Sequence, residues 1–243
     1  MKLDKISPSS LNKFNACPFW WYCEQKGFQG IPVDDRAAQL GKAIHNCVMI
    51  YYSRIPSRPT ENGIRKIAKE AFRDGAVPIM KAMKSKTNRI LKNFIEFELR
   101  RLKTWKQYKP TFVEKRFEAK IFSDIPKLKG YIDFYSEGDA AIIDWKTGES
   151  SWADNNARQG KIYELLLKKH GYPVKRIYFF NLNTERFVQV PQVTNGWIYR
   201  ELRRMVDMVE SNRFPPRKSG LCNYCPYILE CEFRYNCVWE ELL

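Results

Sequence analysis

Two aspartates and a lysine stand where apolar residues are expected. In GYIDFYSEGDAAIIDWKTGES, residues 130–150, Asp133, Asp144 and Lys146 fall within segments that otherwise read as strand–turn–strand. Charge is costly to bury and isolated carboxylates are depleted from strands, so these three need a chemical reason. Side chains alternate along a strand, which puts Asp144 and Lys146 on one face and Trp145 on the other. Ala140 to Ile143 reads as an interior strand, so Asp144 ends a buried element, and Asp133 on the partner strand reaches the same face. Two carboxylates converging at a strand end suit a hard divalent cation. A lysine two residues further on can hold or deprotonate an attacking water and offset charge growing on a phosphate. The competing account is an Asp–Lys surface ion pair, which contributes little.

The cysteines are the second group with chemistry in their spacing. There are seven, at 17, 23, 47, 222, 225, 231 and 237. An odd count, with no secretion signal in MKLDKISPSSLNKF, argues against a disulfide framework and for a cytoplasmic protein. Cys222-x2-Cys225-x5-Cys231 is compact enough to chelate a metal or a cluster, and it needs a fourth thiolate. Cys47, among apolar neighbours, reads as core.

The elements that must position these groups follow from composition and pattern. The 243 residues suffice for one large domain or a domain with an insertion, and 44% are apolar. No apolar run approaches the roughly 18 residues of a membrane span. Lys and Arg number 42 against 27 Asp and Glu, a net charge of +15 that suits a polyanion such as nucleic acid. Residues 54–110 alone hold 16 basic and 5 acidic residues; a solvated basic face without a partner is the plainer account of such a surplus. An N-terminal Ser/Pro segment running into aromatics predicts a short helix, and residues 36–52 predict another. Residues 60–108 read as a helical insertion, with Leu91, Ile95, Leu99 and Leu102 along one face and Lys and Arg on the others. Strands are expected at 111–122, 128–136 and 140–146, with EGD at 137–139 as a tight hairpin connection. A helix at 155–170, strands KRIYFFNL and ERFVQVP, and an amphipathic helix through Ile198, Leu202, Met205 and Val209 follow. This order predicts an α/β fold, a central mixed β-sheet flanked by helices. No Gly-rich phosphate loop is present, which disfavours an ATP-driven motor.

GYID followed by IIDWKTG resembles the core motif of the PD-(D/E)XK nuclease superfamily, in its RecB-like branch. GKAIH, residues 41–45, looks like that branch's histidine motif, and QGKIY, Gln159 to Tyr163, resembles its Q-x-x-x-Y motif. The resemblance implies a restriction-endonuclease-like core over residues 1–243, with the helical insertion at about 54–110 and a cluster-binding segment at 215–243. It makes His45, Asp133 and Asp144 ligands of Mg2+ or Mn2+, with the Trp145 backbone carbonyl as a further ligand and Lys146 as the catalytic lysine. Gln159 and Tyr163 would support the site or contact DNA, and Glu114 matches a glutamate often found on the preceding strand. ACP at 16–18 resembles the early cysteine of the iron–sulfur RecB-like nucleases, which include the CRISPR-associated adaptation nuclease and AddB-type nuclease domains. On that match Cys17, Cys222, Cys225 and Cys231 hold a 4Fe–4S cluster; a Zn2+ site is the alternative, and Cys23 or Cys237 could replace a ligand. The implied activity is a metal-dependent deoxyribonuclease, an exonuclease on single-stranded or frayed DNA ends. A non-cleaving DNA-binding module of a recombination or adaptation complex competes with it. Phe94, Phe97 and Trp105 are candidates to stack bases, although aromatics at helical spacing are more often core.

Overall fold

A computed structural model describes residues 3–148 and 153–233, and local chemistry explains where its elements start and stop. The N-terminal segment forms two helices rather than one, α1 (Pro8–Ala16) and α2 (Pro18–Lys26). Pro18 cannot donate the hydrogen bond that would continue α1, so it opens a new helix instead. Ser7 caps α1 through its side chain, and the Cys17 sulfur accepts from Trp20 N at 3.5 Å at the start of α2.

Residues 36–54 form α3 (Arg36–Arg54), and the basic segment contains α4 (Glu61–Asp74), α5 (Pro78–Ala82) and α6 (Lys84–Thr104). Strands β2 (Phe112–Ala119), β3 (Lys127–Ser136) and β4 (Ala141–Lys146) follow, then α7 (Ala153–Lys169), β5 (Arg176–Asn181), β6 (Arg186–Gln189) and α8 (Asn195–Glu210). A two-residue strand, β1 (Lys5–Ile6), precedes them all and had no signature in the sequence pattern. The sheet order is β1-β3-β4-β5-β6, with β2 also paired to β3. The β1–β3 and β4–β5 pairs are parallel, and the β3–β4 and β5–β6 pairs antiparallel, so the sheet is mixed. The fold is a mixed α/β fold with a central mixed sheet flanked by helices, consistent with a restriction-endonuclease-like core.

The chain divides into two compact units. The smaller comprises residues 1–34, 118–130 and 193–243, with Ile6, Leu11, Phe14, Trp21, Leu128, Ile198, Leu202 and Met205 in its core. The larger comprises residues 35–117 and 131–192. Its core joins Leu40, Ile44, Val48 and Tyr52 of α3 to Phe134, Ile143, Trp145 and Phe180 of the sheet. Phe97 stacks on Phe180 with ring centroids 4.4 Å apart and meets Trp145 edge-on at 5.5 Å, and Phe94 meets Trp145 at 5.9 Å. Phe94 and Phe97 are therefore core, and the partly buried Trp105 packs against the same cluster. Helix α6 is buried over more than its leucine stripe: Glu98 lies inside, and so does Arg101, although the pattern set Lys and Arg on the other faces.

The β3–β4 connection falls at 137–140. Its residue with positive φ is Ala140, at 48°. Gly138 serves close approach, since a Cβ there would lie 3.0 Å from Gln107. Among the described residues no helix is long and apolar enough to cross a membrane.

Candidate active site

The ladder between β3 and β4 ends at Phe134↔Ile143, one step short of the two aspartates. Continued, it would set Asp133 opposite Asp144. The backbone amide left over there is taken by a side chain: Trp145 N donates to Asp133 Oδ2 at 2.9 Å. Both carboxylates are thus held within buried strands just past the end of their ladder, Asp133 with 7% and Asp144 with 1% of its surface exposed.

His45 comes to this point from α3. Its Nδ1 lies 2.8 Å from Glu114 Oε1 and 3.7 Å from Asp133 Oδ2, and its Nε2 lies 3.1 Å from the Trp145 carbonyl oxygen. Both ring nitrogens face acceptors, an arrangement that only the doubly protonated ring satisfies. Burial opposes that charge, yet Asp133, Glu114 and Asp144 together push the imidazole up to about 9. Burial and then the Asp144 carboxylate push Asp133 well above the usual carboxylate range. Without a metal, protons neutralise the acidic group.

Lys146 and α7 complete the arrangement. Lys146 Nζ lies 2.6 Å from Asp144 Oδ2, close enough to pair electrostatically, but that oxygen has no donor in hydrogen-bonding geometry. The ammonium donates instead to Gln159 Oε1 at 3.0 Å. Gln159 Nε2 in turn donates to Asp144 Oδ1 and to Tyr163 OH, each at 2.7 Å. Gln159 and Tyr163 are one helical turn apart, and the amide's acceptor and donor ends match a lysine and a carboxylate respectively. Burial above all, with Asp144 next, holds the Tyr163 hydroxyl well above its usual range, so it stays protonated.

These residues fit a divalent cation. One donor atom each from His45, Glu114 and Asp133 lie within 4.8 Å of one another, the reach of a single ion's ligand shell. Asp144 stands outside this tightest set, and its Oδ2, which faces Lys146 but has no aligned donor, is a buried acceptor that a cation would satisfy. Glu114, the least emphasised residue in the sequence, is thereby drawn into the centre. Its backbone is left-handed, with φ of 46°, which breaks the strand's alternation at that residue.

Two supporting residues escaped the sequence reading. Asn181, at the end of β5, donates through Nδ2 to the Gly148 carbonyl at 2.6 Å and so ties down the loop after Lys146. A buried Asn closing an apolar strand was the available signal. Gly41 of GKAIH lies against the same loop, where a Cβ would come within 3.2 Å of Thr147 Oγ1.

The cysteines gather in the smaller unit. Cys17, Cys23, Cys222, Cys225 and Cys231 are free thiols there, and Cys47 is buried in the core of the larger unit. Cys17 Sγ accepts from Trp20 N at 3.5 Å and Arg217 N at 3.4 Å, and Cys222 Sγ accepts from Ser219 N at 3.4 Å. Burial, then neighbouring thiols that include Cys17, Cys231 and Cys222, push Cys225 up to about 11. Cys23 is likewise pushed up to about 11 by burial and by Cys225, Cys17 and Cys231. Ile31 N donates to Pro226 O at 2.8 Å, and a Cβ on Gly30 would meet Pro226 at 2.7 Å, so the Cys225 loop packs tightly on residues 30–31. Cys237 lies outside the described residues.

No curated protein matches the chain. Eighteen solved chains do, among them the crystal structure of SSO0001, which is 12% identical at a TM-score of 0.45 over 96% of this chain and 87% of that one. The sequence model of the PD-(D/E)XK nuclease superfamily matches residues 5–232. Nucleases of that superfamily use divalent metals such as Mg2+ or Mn2+, for which the His45, Glu114 and Asp133 donors are suited. The match runs through nearly the whole sequence and takes in every residue of the acidic group, and on that ground the chain belongs to the PD-(D/E)XK nuclease superfamily.

Proposed function

We propose that the protein is a DNA exonuclease of the RecB-like branch, acting on single-stranded or frayed ends, with 1–243 working as one nuclease domain. The observation that carries this reading is the surplus of carboxylate beside a lysine: Glu114, Asp133 and Asp144 have only two cationic partners, His45 and Lys146. His45, Glu114, Asp133 and Asp144, with the Trp145 carbonyl, would hold Mg2+ or Mn2+. A bound divalent ion polarises a phosphate oxygen and acidifies water. Lys146 orients the attacking water and faces the charge that grows on the scissile phosphate. Gln159 keeps the ammonium and Asp144 in fixed relation, and Tyr163 keeps Gln159. The Lys and Arg of the 54–110 insertion supply sequence-independent phosphate contacts.

In the same reading Cys17, Cys222, Cys225 and Cys231 hold a 4Fe–4S cluster that cross-links segments about 200 residues apart and stabilises the fold rather than carrying electrons. Amide donors to Cys17 and Cys222 support thiolate ligands at those two positions. The free thiols accord with a reducing, cytoplasmic setting.

End-labelled single and double strands, incubated with and without Mn2+, test the activity. Wild type should shorten single strands from their ends only with metal, and Asp144→Ala should not. Internal cuts alone would replace exonuclease with endonuclease, and equal cleavage by both proteins would remove the site. Protein purified without oxygen should be brown and Cys225→Ala colourless; colourless wild type with one zinc per chain would reverse the cluster assignment.

A further inference from the structure

Strand β3 carries an exposed aromatic ring next to the acidic group that nothing above uses. Tyr131 lies two residues before Asp133, so the two side chains share a strand face about 6.8 Å apart. Tyr131 is 56% exposed, the most exposed large apolar side chain of the larger unit among the described residues, while Ile132 and Asp133 beside it are buried. It has no ring, hydrogen-bond or ion-pair partner among the described residues. Other tyrosines of this unit are engaged: Tyr135 donates to the Pro173 carbonyl, Tyr163 meets Gln159, and Tyr52 bonds Glu98.

A single-stranded substrate with its phosphate at the acidic group would bring its next nucleotide one step along that face. An unpartnered tyrosine ring there matches the flat face of an unpaired base, which any sequence presents. We propose that Tyr131 is a stacking platform for the nucleobase adjoining the scissile phosphate. This rests on the nuclease reading and deepens it. The platform works only when the base is out of a duplex, so Tyr131 is a substrate-contacting residue that favours single strands without reading their sequence.

The test is a cycle between the ring and the base. Fluorescently labelled oligothymidylate is bound in Ca2+ by wild type, Tyr131→Ala and Tyr131→Phe, and each binding is repeated with a set of oligonucleotides carrying one abasic residue at successive positions. Tyr131→Ala should weaken single-strand binding about 5- to 100-fold, and Tyr131→Phe by no more than about twofold. One abasic position should cost wild type the same factor and cost Tyr131→Ala nothing more. Because the side chain is exposed, the melting temperature should hold, so a binding loss reports contact rather than unfolding. Equal binding by Tyr131→Ala, or an abasic penalty that persists in it, overturns the platform. If wild type still cleaves the same strand with Mn2+, that failure leaves the nuclease reading intact; if wild type neither binds nor cleaves DNA, both fall.

Discussion

Among the places where the larger unit buries charge, two are built on opposite terms. Around Glu98 every charge is answered. Arg101 donates to its carboxylate from Nε at 3.0 Å and Nη2 at 2.9 Å, Tyr52 OH donates at 2.7 Å, and Tyr51 OH reaches it at 3.4 Å while also bonding Tyr108. The guanidinium lies 4.3 Å from the Tyr108 ring centroid and 4.8 Å from that of Phe134. One carboxylate meets one guanidinium, and both side chains are fully buried. At the strand ends, three carboxylates share one imidazole and one ammonium, and Asp144 Oδ2 has no aligned donor. Burial of charge by itself therefore does not mark a site. The charge left over does: a neutral cluster belongs to the fold, and a negative remainder calls for a cation.

Substitutions in the two places should separate activity from stability. Asp144→Ala or Lys146→Ala should lower metal-dependent cleavage by about 10³-fold or more while the thermal midpoint stays within a few degrees, because each removes a group whose partner acts in the reaction. Single-turnover cleavage and calorimetry on the same preparations read both quantities. Glu98→Ala should do the reverse. It strands the buried Arg101 guanidinium at a cost of about 3–5 kcal/mol, measurable as a lower urea midpoint, and leaves the turnover of folded protein near wild type. Glu98→Met with Arg101→Met should recover much of that loss, since apolar replacement of a whole buried pair is near neutral. A Glu98→Ala protein as stable as wild type would erase the contrast.

Proton linkage sharpens the comparison further. His45 is raised from 6.5 to about 9, so its contribution to stability is complete below about pH 6.5 and is lost as pH climbs through 9. Asp133 is also raised, so the folded protein keeps a proton that the unfolded chain has already released. Both act in one direction: the metal-free protein should lose stability as pH rises from 6 to 9. A divalent ion replaces those protons, so the rise in melting temperature on adding Mn2+ should grow over the same interval. A constant increment across that range would show that protons and metal do not compete for these groups. Asp133→Asn should flatten the dependence, whereas Glu98→Gln should leave it unchanged. The smallest effect is expected at Gly41→Ala, where a Cβ 3.2 Å from Thr147 Oγ1 presses on the loop after Lys146. Cleavage should fall by less than about tenfold, as for other supporting positions around a metal site.

Much of the site was legible because its chemistry is costly wherever it occurs. Asp133, Asp144 and Lys146 interrupt strands, so residue type and period set them apart, whereas Gln159 and Tyr163 stood out only through the resemblance to a Q-x-x-x-Y motif. Glu114 was harder. A strand period assigns it a face, but its left-handed backbone removes that regularity, and only the position of His45 says where the carboxylate goes. Arg101 misled for the opposite reason. Its own charge assigns it to a solvent face, and it is buried because Glu98 and four aromatic rings close around it, a partnership no helical period encodes.

By itself the sequence determined the mixed α/β class, the strands and helices around the two aspartates, the clustering of late cysteines, and the large positive charge. These depend on local periods, on turn and cap chemistry, and on composition, which neighbouring residues carry between them. Tertiary structure alone decided which carboxylates converge, which oxygen is left without a donor, which aromatics are core, and that Tyr131 stands bare beside Asp133. Convergence of groups 30 to 100 residues apart depends on where strands splay and how a helix crosses them, and those are properties of packing that no short window of sequence contains.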